Sequence, residues 1–202
     1  MPAIFKTPEQ LQELEPVQPW EKDRGQKEFT AKEDIPIVID YFPDTKLPNR
    51  LLTDLVPQKW PNTRLTNVNA EMTEWNCQFP QRRVFQRWLR YIIERRFGAC
   101  SSEHDLNFIE MWFARYGKGD YTKVHNHIKA LYSFVFFVNA PEGSSPLILT
   151  SSKTEIEPVP GKLVLFPGCI YHHVPENNCE NRVVLAGNII SVLTNSFEYR
   201  QL

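Results

Sequence analysis

The spacing of apolar and polar positions divides the chain near residue 106. From Leu106 onward, short apolar runs alternate with clusters of Gly, Pro, Asn and Ser: "LNFIEMWFARYG", "ALYSFVFFVNAP", "PLILTSS", "GKLVLFPG" and "NRVVLAGNIISVL". Runs of this length, rich in Val, Ile, Phe and Tyr and closed by turn formers, predict successive β-strands of a sandwich or barrel. Several are apolar at consecutive rather than alternate positions, the pattern of central strands covered on both faces. One cover is legible upstream. "RVFQRWLRYIIERRFG", Arg83 to Gly98, spaces Phe85, Trp88, Leu89, Ile92 and Ile93 at helical intervals and ends on glycine, which predicts an amphipathic helix packed on one sheet. "PIVIDYF", Pro36 to Phe42, has strand composition. The residues before it are charged, contain proline and hold no sustained period, and predict an N-terminal arm over residues 1–35. A single domain is expected over 36–202, with a mixed helical and strand buttress at 36–105 and the β core at 106–202. The fold class expected is mostly β with flanking helices, a helix-buttressed double-sheet barrel.

Composition changes this picture little. Lys and Arg total 23 against 24 Asp and Glu, so the chain as a whole carries no electrostatic footprint for nucleic acid or an acidic membrane. Arg82, Arg83, Arg87, Arg90 and Arg95 cluster on the predicted helix, where a solvated face is the expectation rather than a nucleic-acid patch. Cys77, Cys100, Cys169 and Cys179 form no CxxC pair, no apolar signal region opens the sequence, and no stretch is long enough to span a bilayer. A soluble, cytoplasmic protein is expected.

The candidate chemistry lies in the histidines. His125 and His127 stand two apart in front of the apolar run "LYSFVFFV", a spacing that on a strand puts both side chains on one face. A third imidazole is available from His172 or His173, which follow the strand "GKLVLFP". Neutral imidazoles suit Zn(II), Cu(II) or Fe(II), and three ligands with open positions make a catalytic rather than a closed structural site. Free imidazoles titrate near 6.5, so metal affinity is expected to fall below about pH 6. Ten residues after His172, Arg182 begins an otherwise apolar strand, a costly place for an unpaired guanidinium. Its partner is either an anionic ligand or, on the rim, Glu176 or Glu180.

"RYGKGDYTKVHNH", Arg115 to His127, resembles the segment of Fe(II)/2-oxoglutarate-dependent oxygenases, prolyl-hydroxylase-like members included, that carries a Tyr, a Gly-containing turn, another Tyr and a His-x-Asp pair. "GKLVLFPGCIYHHVPENNCENRVVLAGN" resembles the family's run through the distal His, the Arg and a later Asn. The similarity spans about Asn107 to Ile190 and is greatest to bacterial and phage proteins that carry His-x-His and an Arg six positions before an Asn. It implies a double-stranded β-helix of jelly-roll or cupin type. It also implies iron at His125 and His172, the far carboxylate of 2-oxoglutarate at Arg182, and supporting roles for Tyr116 and Asn188.

Two departures qualify the match. The family's carboxylate ligand is replaced by His127, so three imidazoles are expected at the metal unless Asp120 reaches in. Val184 stands where a Ser often follows the Arg by two, and Tyr116 is expected to supply the missing hydroxyl. Of the distal pair His172 is the expected ligand, since relatives read His-x-Val, and His173 is expected on the opposite face. Trp112 and Tyr132 are expected in the core and Cys169 as a buried, inert thiol.

The function these residues imply is a dioxygenase that uses Fe(II), 2-oxoglutarate and O2, hydroxylates a small molecule or a protein side chain, and releases succinate and CO2. The alternatives are a three-His cupin-type dioxygenase without 2-oxoglutarate, and a non-catalytic metal-binding or interaction module.

Overall fold

The structure, a computed structural model, describes residues 34–55, 60, 66–98 and 104–193. All but the last two residues of the expected N-terminal arm lie outside the described residues, and so does Cys100. Two antiparallel sheets form the β core. One runs in the order β1 (Val38–Tyr41), β9 (Lys162–Pro167), β6 (Tyr132–Asn139), β11 (Arg182–Leu193), β4 (His104–Tyr116), β3 (Glu71–Met72). The other runs β2 (Val68–Asn69), β5 (Tyr121–His125), β10 (His172–Val174), β7 (Leu147–Leu149), β8 (Thr154–Ile156). From β4 onward the chain passes back and forth between the sheets, which is the double winding of a jelly roll. The predicted strands are all present, "PIVIDYF" as β1.

The strands that read as apolar at consecutive positions belong to the larger sheet, and both of its faces are covered. Phe113, Phe134, Phe136, Leu163, Leu165 and Leu185 pack on the helical side, while Trp112, Phe137, Val164, Phe166 and Val184 face the smaller sheet. Along β6 six of eight residues are buried, which leaves no polar alternation to read. The helical cover is α1 (Leu47–Leu55) and α2 (Arg82–Phe97). In α2 the predicted stripe is the buried one: Phe85 is fully buried, with ring centroids 5.8 Å from Phe134 and 5.0 Å from Phe136. Gly98 ends the helix at φ 60°, a left-handed conformation glycine adopts without penalty, and its N–H donates to Glu94 O.

The arginines of α2 lie on its solvated side, as expected. Arg90 pairs with Asp105 and also donates to Leu106 O, Arg82 donates to Cys77 O, and Arg95 donates to the Tyr91 hydroxyl. No helix among the described residues is long and apolar enough to cross a membrane.

Candidate metal centre and buried guanidinium

Strand pairing brings the first two imidazoles together. His125 closes β5, His172 opens β10, and the antiparallel register sets them directly opposite each other, with ring centroids 4.3 Å apart. Each donates its Nδ1–H to the carbonyl two residues earlier: His125 to Lys123 O at 2.8 Å and His172 to Ile170 O at 2.9 Å. A carbonyl only accepts, so the proton of each neutral ring is on Nδ1 and the lone pair is on Nε2.

His127 arrives by a different route from the one its spacing suggests. β5 stops at His125, so strand alternation does not place it. A turn carries it instead: its N–H donates to Gly168 O at 2.7 Å and its carbonyl accepts from Ala130 N–H at 2.7 Å. A Cβ at residue 168 would stand 2.3 Å from Ala130 O and 2.5 Å from His127 O, so only glycine lets the two segments meet. The three rings converge all the same. His125, His127 and His172 offer ligand nitrogens that all lie within 4.8 Å of one another. Asp120 does not join them. Its carboxylate accepts from Gly117 N–H at 2.8 Å and its backbone oxygen accepts from Asn177 N–H at 2.8 Å, which holds it in the preceding turn.

Burial pushes the His127 pKa down to about 4 and that of His172 to about 3, with the neighbouring His125 adding repulsion in both cases. His125 is lowered as well, chiefly by burial, against the backbone hydrogen bonds of Lys123 and His172. The sequence-based expectation of acid release below about pH 6 therefore moves. Protons compete with a metal in a more acid range than for free imidazoles, and divalent-ion affinity is expected to be lost as pH falls toward about 4, where His127 takes up a proton. The unfolded chain takes up protons near 6.5 while the folded sites resist them. Folding stability of the metal-free protein should therefore decline as pH falls from about 6.5 toward 3. Calorimetric Co(II) titrations and melting curves across that range test both.

The cavity between the sheets is lined by the three imidazoles and by Trp112, Tyr116, Thr122, Phe166, Arg182 and Val184, among others. Arg182 is wholly buried, which excludes the rim position paired with Glu176 or Glu180. Its Nε donates to Ser145 O at 3.0 Å, and its guanidinium lies 4.7 Å from the Tyr116 ring centroid and 5.5 Å from that of Phe137. Nη1 and Nη2 have no hydrogen-bond partner. Burial drives its pKa down, opposed by Tyr116. A planar fork with two unbonded nitrogens in an apolar cavity has the geometry that suits a carboxylate. Beside it the Tyr116 hydroxyl meets Thr122 Oγ1 at 2.7 Å.

Asn188 is buried next to the third imidazole. Its Nδ2 lies 2.5 Å from Glu110 Oε2 and 3.3 Å from His127 Nδ1, and its Oδ1 accepts from Ser133 Oγ at 2.8 Å.

Thr122, Glu110 and Gly168 were not singled out from sequence. The register shift between His172 and Val174 puts Thr122 opposite Val174 and so into the cavity with His125, although the two are three residues apart. Strand period alone hides such a bulge. Trp112 is buried and lines the cavity, whereas Tyr132 stacks on Phe97 on the helical side with centroids 4.7 Å apart. His173 points away, its Nδ1 2.9 Å from Thr150 Oγ1. Cys169 corrects an expectation. It is exposed, because it sits in the turn after β9 rather than on a strand.

No family model and no curated protein matches the chain. Solved structures do match. A prolyl-4-hydroxylase from Pseudomonas putida aligns at TM-score 0.62 and 20% identity over 77% of this chain and 92% of its own. The viral collagen prolyl hydroxylase of Paramecium bursaria Chlorella virus-1, in complex with 2-oxoglutarate, aligns at 0.58 and 17% over 76% and 94%. A 2-oxoglutarate–Fe(II) oxygenase family protein from Burkholderia pseudomallei aligns at 0.54 and 12% over 76% and 84%. The chain has the double-stranded β-helix fold of these oxygenases.

The residues present fit the groups that such a fold houses. The imidazoles of His125 and His172 turn unprotonated nitrogens away from their carbonyl partners, as metal ligands require, and the orphaned Arg182 nitrogens fit a dicarboxylate.

Proposed function

We propose that the protein is a non-haem Fe(II) and 2-oxoglutarate-dependent dioxygenase that hydroxylates a substrate still to be identified, with release of succinate and CO2. The observation that carries this reading is the buried Arg182 guanidinium, whose two unbonded nitrogens share one cavity with three converging imidazoles. An uncompensated buried charge is expensive, and a bound carboxylate would offset that cost.

In this reading His125, His127 and His172 hold the iron, and Arg182 takes the far carboxylate of 2-oxoglutarate through its paired nitrogens. The Tyr116 ring backs the guanidinium, and the hydroxyls of Tyr116 and Thr122 supply polar contacts where Val184 offers none. Asn188 acts on the His127 ring rather than on the cosubstrate. Trp112, Phe166 and Val184 keep bulk water from the cavity. Iron, when bound, supplies the activation of O2 that couples decarboxylation of 2-oxoglutarate to hydroxylation. Two of the structural relatives are named prolyl hydroxylases, so a prolyl residue in a peptide is the first substrate to try, ahead of free amino acids and other small metabolites.

The test is anaerobic reconstitution with Fe(II), then addition of 2-oxoglutarate and O2 with succinate as the readout. Succinate that depends on both Fe(II) and 2-oxoglutarate is expected. Oxygen uptake indifferent to 2-oxoglutarate would select the cupin-type dioxygenase and leave Arg182 without a role. Failure to bind any divalent ion would select the non-catalytic module.

A further inference from the structure

The three imidazoles are not equivalent. His125 and His172 each give Nδ1–H to a backbone carbonyl, which fixes their protons away from Nε2. The Nδ1 of His127 faces the amide of Asn188 at 3.3 Å. Which end of that amide faces the ring is decided on its far side. Ser133 Oγ, 2.8 Å from Asn188 Oδ1, can donate or accept and so fits either end. Glu110 Oε2 cannot, because a carboxylate only accepts, and at 2.5 Å it requires the NH2 end of Asn188. The second N–H of the same nitrogen is then the group presented to His127, and the ring answers with a lone pair on Nδ1. The proton of neutral His127 is left on Nε2, the opposite tautomer from its two partners.

We propose that Glu110, acting through Asn188, is a positioning residue that fixes the tautomer of His127 and makes it the gated ligand of the centre. A metal meets two rings already carrying free Nε2 lone pairs and one whose Nε2 is capped by a proton. Full three-imidazole ligation requires that cap to be removed, and the Glu110–Asn188 contact opposes the change because it keeps a donor where a metal-bound ring would need an acceptor for Nδ1–H. The inference rests on the proposed metal site, but its first test needs no metal.

In metal-free protein, long-range 1H–15N correlation spectra of the histidine rings should show His125 and His172 as Nδ1–H tautomers and His127 as Nε2–H. Finding His127 as Nδ1–H would overturn the proposal whether or not the protein proves to be an oxygenase. Glu110→Gln offers Asn188 either end of an amide, so His127 should shift toward Nδ1–H and Co(II) affinity should rise about three- to tenfold, the scale of one hydrogen bond. Unchanged or weakened Co(II) binding would sink it, since Glu110 would then be neutral or supportive to ligation. Ser133→Ala removes a partner indifferent to the amide's direction and should leave the ring tautomers as in the parent. A shift matching that of Glu110→Gln would give the determining role to Ser133 and overturn the assignment. If the tautomers are as stated and no divalent ion binds, the proposed function fails while the relay stands. Circular dichroism confirms that each variant folds.

Discussion

Arg182→Leu is expected to weaken 2-oxoglutarate binding at least about 30-fold while leaving the ligand-free protein at least as stable as the parent. The two effects have one cause. In the free protein the guanidinium is fully buried with both terminal nitrogens unbonded, and the Ser145 carbonyl and the Tyr116 and Phe137 rings offset part of that cost. Leucine fills much of the same volume and carries no charge to desolvate, and replacing buried charge by apolar side chains is commonly neutral or stabilising. In the complex the balance reverses, because removing one partner of a buried, hydrogen-bonded charge pair costs about 2–5 kcal/mol, or roughly 30-fold to several thousand-fold in affinity. The parent should gain about 5–10 °C in melting temperature with 2-oxoglutarate at a hundred times its Kd, and the variant should gain no more than about 3 °C at the same concentration. Isothermal titration in the presence of Co(II) and melting curves with and without 2-oxoglutarate make the comparison. Cosubstrate affinity unchanged in the variant would remove Arg182 from the site and favour the cupin-type alternative.

His172→Ala is expected to weaken Fe(II) binding by more than about 100-fold, and His125→Ala to do the same. These two rings face each other across the β5–β10 register, are held by carbonyl hydrogen bonds on one side, and are free to ligate on the other. Backbone pairing on both sides of β10 does not depend on the imidazole, so circular dichroism of the variants should match the parent. His127→Ala should lose less, since that ring is the last to ligate. His127→Asp should bind iron with a shallower dependence on acid, because a carboxylate replaces an imidazole that must stay unprotonated. Anaerobic Fe(II) titrations across pH test all four. Full occupancy in His172→Ala or His125→Ala would disprove the ligand assignment.

Much of the fold was legible in the sequence because covered strands and an amphipathic helix write their burial into composition. The runs from "LNFIEMWFARYG" to "NRVVLAGNIISVL" became β4, β6, β7, β9 and β11, and the stripe from Phe85 to Ile93 is the buried face of α2. The short α1 went unread, because nine residues with Pro48 in the first turn give too few repeats of the helical period. For the site, the order and spacing of His125, His127, His172 and Arg182 named the residues that the fold gathers around one cavity.

The sequence by itself determined what each side chain can ligate, donate or accept, since that follows from residue type. Tertiary structure decided where each one points. His127 depends on the close approach of Gly168, and Thr122 on a register shift in β5. Arg182 became a buried guanidinium rather than a rim charge only when the sheets closed over it. The proton on His127 depends on Glu110 and Asn188, 17 residues before it and 61 after it in the chain. Local periodicity records only what lies within a few residues, whereas burial, strand register and hydrogen-bond direction are set by partners distant in sequence.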